Sequence, residues 1–97
     1  MIAQTILHQL GGSRFQLMTG AKNFLNLKNG LSFRIPSTMT KQKINYVKIE
    51  LNGLDLYDLE FGRIWKLDYK IVKTLENIDS AQLQRVFTQV TGLDTHL

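Results

Sequence analysis

The chain has 97 residues, 43% of them hydrophobic, which suffices for one domain with its own core and not for two. It contains no cysteine, which excludes disulfides and thiolate metal ligands and fits a reducing compartment. The first residues lack the basic region and apolar run of a signal peptide, and no stretch approaches the ~20 apolar residues of a membrane span. We therefore expect one cytoplasmic domain over residues 1–97, without a membrane partner.

The charges divide the chain into two unlike halves. Residues 1–49 contain seven basic residues and no acidic one, a net charge of +7. Residues 50–97 contain five basic and eight acidic residues, a net charge of −3. Unless the cations merely solvate the surface, this asymmetry indicates a polyanion-binding face or a charged protein partner.

The first third of the sequence predicts one helix and two strands. Apolar residues recur at helical spacing over residues 2–10, and two glycines follow them, so the chain begins with a short amphipathic helix. The runs RFQLMTG and LSFRI then alternate between apolar and polar residues, which is typical of strands. They are predicted as strands one and two, with Arg14 and Arg34 on the faces opposite their apolar neighbours.

Two loops accompany these strands. AKNFLNLKNG, between them, is predicted to be a long connection with Lys22 and Phe24 at its exposed end. After the single proline, STMTKQK has turn composition and no apolar periodicity, which predicts a mobile basic loop.

The segment KINYVKIELNGLDLYDLEFGRI holds two alternating runs around an Asn-Gly pair and predicts a β-hairpin. A tight two-residue loop would place Val47 opposite Asp58, an apolar residue opposite a charge. A longer loop pairs Val47 with Leu59 on one face and Lys48 with Asp58 on the other. Because such pairs are each worth roughly 0.2 to 1 kcal/mol, we predict the longer loop. The predicted third and fourth strands span about residues 44–51 and 56–64.

The last third of the sequence predicts one further strand and a helix. YKIVKTL alternates more weakly and predicts strand five, with Lys73 on the same face as Tyr69. Asp79 is followed three residues later by a glutamine, as in a capping box. Apolar residues then recur at helical spacing over residues 83–90, and a glycine ends the predicted helix.

The predicted order is therefore a helix, four or five antiparallel strands and a second helix. Sequential strands with short connections favour an α+β domain, with a meander sheet and the C-terminal helix packed on one sheet face. The other face would then be free to bind a partner. An exposed sheet edge could also pair two copies into a homodimer.

The sequence predicts no catalytic, metal or cofactor site. His8 and His96 lie near opposite ends of the chain, without a second ligand at metal-binding spacing. Asp58, Asp68 and Lys70 match the D-x9-D-x-K pattern of metal-dependent nucleases, a short pattern that charges on a solvated strand face also produce. The sequence contains no phosphate-binding loop and no nucleophile elbow.

Basic and aromatic side chains give the strongest functional signal. If strands one to three adjoin, two arginines, Tyr46 and Lys48 share an exposed sheet face that basic loops border. Cations neutralise phosphates and aromatic rings stack on bases, as single-stranded nucleic acid requires, although Phe24 is equally compatible with a core position. We therefore predict a non-enzymatic accessory protein that binds nucleic acid, with single strands as the expected ligand, through this basic sheet face and the loops. The predicted binding residues are Arg14, Lys22, Phe24, Arg34, Lys41, Lys43, Tyr46 and Lys48.

Four runs carry a resemblance to other proteins: LGGSRFQLMTGAKNF, NGLSFRIP, INYVKIELNGLDLYDLEFGRI and TGLDTHL. In these runs, and in the order of MTGAKNF, INYVKI and EFGR, the chain resembles a family of short uncharacterised proteins encoded by phages and other mobile elements. The resemblance covers nearly the whole chain. It implies a genetic context in a bacterial host and supplies no catalytic or ligand residue.

The acidic half of the chain supports an alternative function. A phage-type inhibitor could bind a host defence protein by surface contact, with carboxylates that mimic phosphates for a basic partner. The residues predicted for that face are Glu50, Asp55, Asp58, Glu60 and Asp68.

Overall fold

The computed structural model describes residues 2–93. These residues form one antiparallel sheet in the order β1-β2-β3-β4-β5, with helices before and after it. The elements are α1 Ile2–Leu10, α2 Ser13–Thr19, β1 Lys22–Leu27, β2 Gly30–Arg34, β3 Tyr46–Leu51, β4 Tyr57–Trp65, β5 Asp68–Ile78 and α3 Leu83–Thr91. The prediction of an α+β fold with a short N-terminal helix and an antiparallel meander is confirmed. Within the described residues, no helix has the length and apolar character needed to cross a membrane.

The predicted first strand, RFQLMTG, is instead helix α2. Its alternating pattern also places Phe15 and Thr19 four residues apart, on one face of a helix, and both side chains are buried. The Thr19 hydroxyl donates a 2.7 Å hydrogen bond to the Phe15 carbonyl, which satisfies the buried hydroxyl. Gly20, with a φ of 72°, ends the helix in the left-handed conformation that glycine adopts most readily.

The predicted long connection, AKNFLNLKNG, contains the first strand of the sheet. β1 pairs with β2 through a two-residue turn, and the ladder is irregular between Lys22 and Leu25, where Asn23 has a φ of 57°. This irregularity lets Phe24 pack against the core, with its ring centroid 5.4 Å from that of Phe33. The prediction of an exposed connection over this segment is therefore wrong.

The β3–β4 hairpin has a long loop, as predicted, but its register differs by two residues. Val47 pairs with Phe61 rather than with Leu59, and Lys48 pairs with Glu60 rather than with Asp58. A shift of two residues keeps each side chain on its predicted face. The strands are Tyr46–Leu51 and Tyr57–Trp65, each close to its predicted bounds.

The side chain of Asn52 sets this register. Its Oδ1 atom accepts hydrogen bonds from the backbone N–H groups of Leu54 and Leu56, at 2.8 and 3.2 Å. The Asn52 backbone N–H donates to the Leu56 carbonyl at 2.8 Å. These bonds close a loop over residues 52–56, so Leu51 and Tyr57 become the first pair of the ladder.

β5 is longer than predicted and carries two bulges. Ile71 lies opposite Gly62 and Lys73 lies opposite Phe61, so Val72 is an extra residue between two adjacent pairs. The bulge moves Lys73 to the face opposite that of Tyr69, so the predicted shared face is wrong. A second irregularity lies near Asn77, whose φ is 59°.

The core is an aromatic cluster on one face of the sheet. The ring of Phe87 in α3 lies 5.2 Å from Phe15, 6.2 Å from Phe33 and 6.5 Å from Phe61, measured between centroids. We call the side of the sheet that carries Phe33, Val47, Ile49, Leu59 and Phe61 the covered face, since these side chains are buried. The opposite side is the open face.

The start of the C-terminal helix follows its sequence signal. The Asp79 side chain accepts a 3.0 Å hydrogen bond from the Gln82 backbone N–H, and a 3-10 turn leads into α3. Leu83, Val86 and Phe87 are buried, and Gly92 ends the helix with a φ of 80°.

Candidate nucleic-acid interface

The residues predicted to bind nucleic acid do not form a single surface. Arg14 lies exposed on α2 rather than on the sheet, because its segment is helical. Lys22 lies exposed in the edge strand β1, and Phe24 beside it is partly buried against the core. The remaining five divide between the open face and a turn. Arg34, Tyr46 and Lys48 lie on the open face, and Lys41 and Lys43 lie in the 3-10 turn that precedes β3.

The cations of the open face have partners within the fold. Lys48 lies between two carboxylates, with its Nζ atom 3.7 Å from Glu50 and 3.9 Å from Glu60. The guanidinium Nε of Arg34 donates a 3.2 Å hydrogen bond to the backbone carbonyl of Asn45. Both cations are therefore directed towards partners within the fold rather than towards a polyanion.

The aromatic residues of the open face are paired with each other. Tyr46 and Tyr69 meet edge to face, with their ring centroids 5.5 Å apart. The Tyr69 ring lies over Gly62, where a Cβ atom would come within 2.3 Å of the ring. Its hydroxyl donates a 2.7 Å hydrogen bond to Glu60. Burial raises the pKa of Tyr69, and the hydrogen bond and negative charge of Glu60 raise this pKa further.

The predicted acidic face is assembled only in part. Glu50, Asp58 and Glu60 line a shallow cleft with Glu76, whereas Asp55 lies in the β3–β4 loop and Asp68 at the far end of β5. Asp58 Oδ1 accepts hydrogen bonds from the Asn52 side chain and the Asn77 backbone, at 3.0 and 3.1 Å. These bonds tie the β3–β4 loop to β5.

A different set of cations converges on a groove that sequence reasoning did not identify. Arg63 of β4 lies directly opposite Lys70 of β5, on the covered-face side of the sheet beyond Phe61. With Lys43 of the 3-10 turn, these two residues line two adjoining clefts of ≈ 380 and ≈ 490 Å³. We call this feature the hairpin groove. Its lining residues are Gln42, Lys43, Arg63, Trp65, Asp68, Tyr69, Lys70, Ile71 and Val72.

The groove continues towards α3 as a third cleft of ≈ 420 Å³. Lys41, Gln42 and Lys73 line its polar side, and its remaining walls are mainly apolar residues of β5 and α3. The Val72 bulge explains why Lys73 reaches this side of the sheet. Lys41 is held in place by a 3.2 Å hydrogen bond from its Nζ atom to the Gln89 carbonyl.

Electrostatically, the hairpin groove differs from the open face. Within residues 2–93, no ion pair joins Lys43, Arg63 or Lys70 to a carboxylate. Asp68 lines the second cleft at its outer end, where it pairs with Trp65 across the hairpin. The groove therefore presents three cations without ion pairs next to an exposed aromatic ring.

The sequence contained a signal for this site. The run RIWKLDYK, residues 63–70, interleaves three cations with two aromatic residues. It lies in the half of the chain with a net charge of −3, so the net charge of that half does not reveal this local cluster of cations. The partner residues, Lys41 and Lys43, are about 20 positions away and join it only in the fold.

The described residues do not assemble a metal or nuclease site. Among them, no three His, Asp or Glu side chains are grouped as metal ligands would be. Asp58 lies near the open end of the β4–β5 hairpin and Asp68 lies at its turn. The two acidic residues of the D-x9-D-x-K pattern therefore lie at opposite ends of the hairpin. His8 is exposed on α1, and His96 lies outside the described residues.

Comparisons with known proteins give no independent assignment. No family model, no curated protein and no solved structure matches the chain.

Proposed function

We propose that this protein binds nucleic acid through the hairpin groove, without chemistry of its own. The observation that carries the proposal is the convergence of Lys43, Arg63 and Lys70 on one concave surface without an ion pair to a described carboxylate. Like charges gathered in this way repel one another, and a polyanion relieves the repulsion. Phosphates that enter the groove would release their counterions, which supplies most of the free energy of non-specific binding.

The shape of the groove suits a flexible strand. Its clefts join end to end from Trp65, past Arg63 and Lys70, to Lys41 and Lys73. A backbone laid along this path would meet cations from the 3-10 turn on one side and from the β4–β5 hairpin on the other. A phage or mobile-element context, as the sequence resemblance implies, fits an accessory protein of this kind.

The alternative, an inhibitor that presents acidic residues to a host protein, is less well supported. Asp58 and Glu60 accept hydrogen bonds from Asn52, Asn77 and Tyr69, and Glu60 also lies near Lys48. Carboxylates engaged in this way are poorer phosphate mimics, because a basic partner would have to compete with the existing bonds.

Fluorescence anisotropy of a labelled oligothymidine tests the proposal. We expect the double variant Arg63→Glu, Lys70→Glu to bind more than about tenfold more weakly at 50 mM salt, because two attractive contacts become repulsive. The matched control is Lys22→Glu, Lys28→Glu, which makes the same change in net charge at exposed positions outside the groove.

The two double variants separate local from overall charge. The proposal requires the control to retain most of the wild-type affinity. Equal losses in both variants would show that net charge alone determines binding. If wild-type protein bound no oligonucleotide at tens of micromolar, the proposal would be wrong, and a protein partner captured from nuclease-treated lysate would become the better explanation.

A further inference from the structure

The turn of the β4–β5 hairpin contains residue types that are unusual for its backbone conformation. Lys66 and Leu67 form a two-residue connection between Trp65 and Asp68, and Lys66 has a φ of 55°. The first position of such a turn, when its φ is positive, is usually occupied by glycine, asparagine or aspartate, because other side chains are strained there. Strain of this kind persists at functional sites more often than in turns selected for folding alone.

The same turn exposes large apolar side chains. Leu67 is fully exposed, and the Trp65 side chain is 64% exposed, although both lie next to cations. Neither residue contributes to the buried core. Large apolar side chains exposed next to each other in this way mark a surface for a partner.

The position of the Trp65 ring identifies what this partner contacts. Lys66 Nζ lies 4.7 Å from the ring centroid and covers one face of the indole by a cation–π interaction. Trp65 is on the same side of the hairpin as Arg63, two residues along the strand, or roughly 7 Å away. It also lines the same cleft as Arg63 and Lys70.

The charge of Asp68 indicates which part of a nucleotide contacts this end of the groove. It lies directly opposite Trp65, and its carboxylate would repel a phosphate placed next to the indole. A nucleobase carries no charge and offers a flat apolar face, which suits the exposed indole. Phosphates would then be held one step further in, by Arg63 and Lys70.

We infer that Trp65 is a stacking platform for an unpaired base, so that the groove selects single-stranded nucleic acid over duplex. This inference rests on the proposed function and specifies its ligand. Bases in a duplex are already stacked on one another and cannot cover the indole, whereas an unpaired base is free to do so. Base stacking is tolerant of sequence, so the selection is for strandedness and not for sequence.

Trp65 is the single tryptophan of the chain, so intrinsic fluorescence reports on this ring alone. We expect oligothymidine to quench the emission of the wild-type protein at saturation, and a duplex of the same length to leave it nearly unchanged. Trp65→Ala should weaken binding of oligothymidine roughly 5- to 150-fold, the range expected for one stacked base. Its affinity for duplex and its salt dependence should stay the same, and Trp65→Phe should restore most of the lost affinity.

Thermal unfolding of the variants is the control for a damaged hairpin. If Trp65→Ala unfolds as the wild type does and still binds oligothymidine with unchanged affinity, the inference is wrong. The proposed function would stand in that case, provided that Arg63→Glu, Lys70→Glu weakens binding as expected above. Equal quenching by single strand and duplex would also overturn the inference, because the indole would then not be reading an unpaired base. Absence of all binding to wild-type protein would identify failure of the proposed function itself.

Discussion

The open face and the hairpin groove use the same residue types for different purposes. On the open face, Lys48 lies between two glutamates and Tyr46 meets Tyr69 edge to face. In the groove, Arg63 and Lys70 lie side by side without a carboxylate partner, and Trp65 is exposed. On the open face these side chains therefore contact one another, whereas in the groove they remain available for a ligand.

This difference shows why cations alone do not locate a binding surface. A lysine with two carboxylates within 4 Å has little net field to offer a polyanion, since its charge is already compensated. Two cations that lie opposite each other on a hairpin create a positive field, which salt screens over the Debye length, about 10 Å at 0.1 M salt. Substitutions in the two regions can test this contrast.

Neutralising cations in the two regions should have unequal effects on binding. We expect Lys43→Gln, Lys73→Gln in the groove to lower the salt slope of binding by roughly 1.4, because each lost phosphate contact contributes about 0.7. Arg34→Gln, Lys48→Gln on the open face should leave the slope nearly unchanged. Anisotropy titrations over a series of salt concentrations measure both values. A larger loss of slope from the open-face pair would reverse the contrast.

Gly62 tests the aromatic pair of the open face. A Cβ atom at this position would lie 2.3 Å from the Tyr69 ring, so Gly62→Ala must displace the ring from Tyr46 and Glu60. We expect a loss of about 1 to 3 kcal/mol in the free energy of unfolding. The control is Gly53→Ala, where a Cβ atom would meet nothing within 4 Å. Urea titration of both variants should separate them, and equal stabilities would contradict the packing described here.

Tyr69→Phe should change how stability depends on pH. The pKa of Tyr69 is raised in the folded state, so the folded protein holds the phenolic proton more tightly than the unfolded chain. This contribution is fully present below about pH 10, the usual tyrosine pKa, and is lost as the pH rises towards the raised value.

At neutral pH, the variant should therefore be about 1 kcal/mol less stable than the wild type, because it lacks the hydrogen bond to Glu60. Above pH 10, the free energy of unfolding should fall less in the variant than in the wild type. Burial also raises the pKa of Tyr57, opposed by its bond to Gln9, so some alkaline dependence should remain. Chemical denaturation between pH 8 and 11 measures the difference. Parallel pH profiles for the two proteins would show that Tyr69 does not contribute.

The smallest effect is expected at Lys48. Its side chain is 33% exposed and its two ion pairs are 3.7 and 3.9 Å long, so solvent screens them substantially. We expect Lys48→Met to change the free energy of unfolding by less than about 1 kcal/mol and to leave oligonucleotide affinity unchanged. A marked loss of affinity in this variant would return the binding site to the open face.

Local signals predicted the parts of the fold that depend on near neighbours. The helix over residues 2–10 and its glycine stop, and the Asp79 cap before α3, are properties of a few adjacent residues, and both are confirmed. The alternation in RFQLMTG misled because a short stretch fits a strand and a helix equally well. Only the burial of Phe15 and Thr19 together distinguishes them.

The register of the β3–β4 hairpin and the hairpin groove could not be predicted from adjacent residues. The pairing of β3 with β4 depends on hydrogen bonds that Asn52 makes within the loop, and an Asn-Gly pair alone does not specify them. The groove depends on the Val72 bulge, which turns Lys73 to the covered-face side, and on the distant turn that carries Lys43. The register depends on the conformation of one loop side chain and the groove on tertiary contacts, so residue spacing reveals neither.

The most direct test of the central claim is a map of the surface that contacts nucleic acid. Backbone amide chemical shifts recorded by NMR during titration with oligothymidine would provide it. We predict that the shifts concentrate at residues 41–43 and 63–73, the two sides of the hairpin groove, and that residues 46–50 change little. Shifts centred on Arg34, Tyr46 and Lys48 would contradict the account and assign binding to the open face.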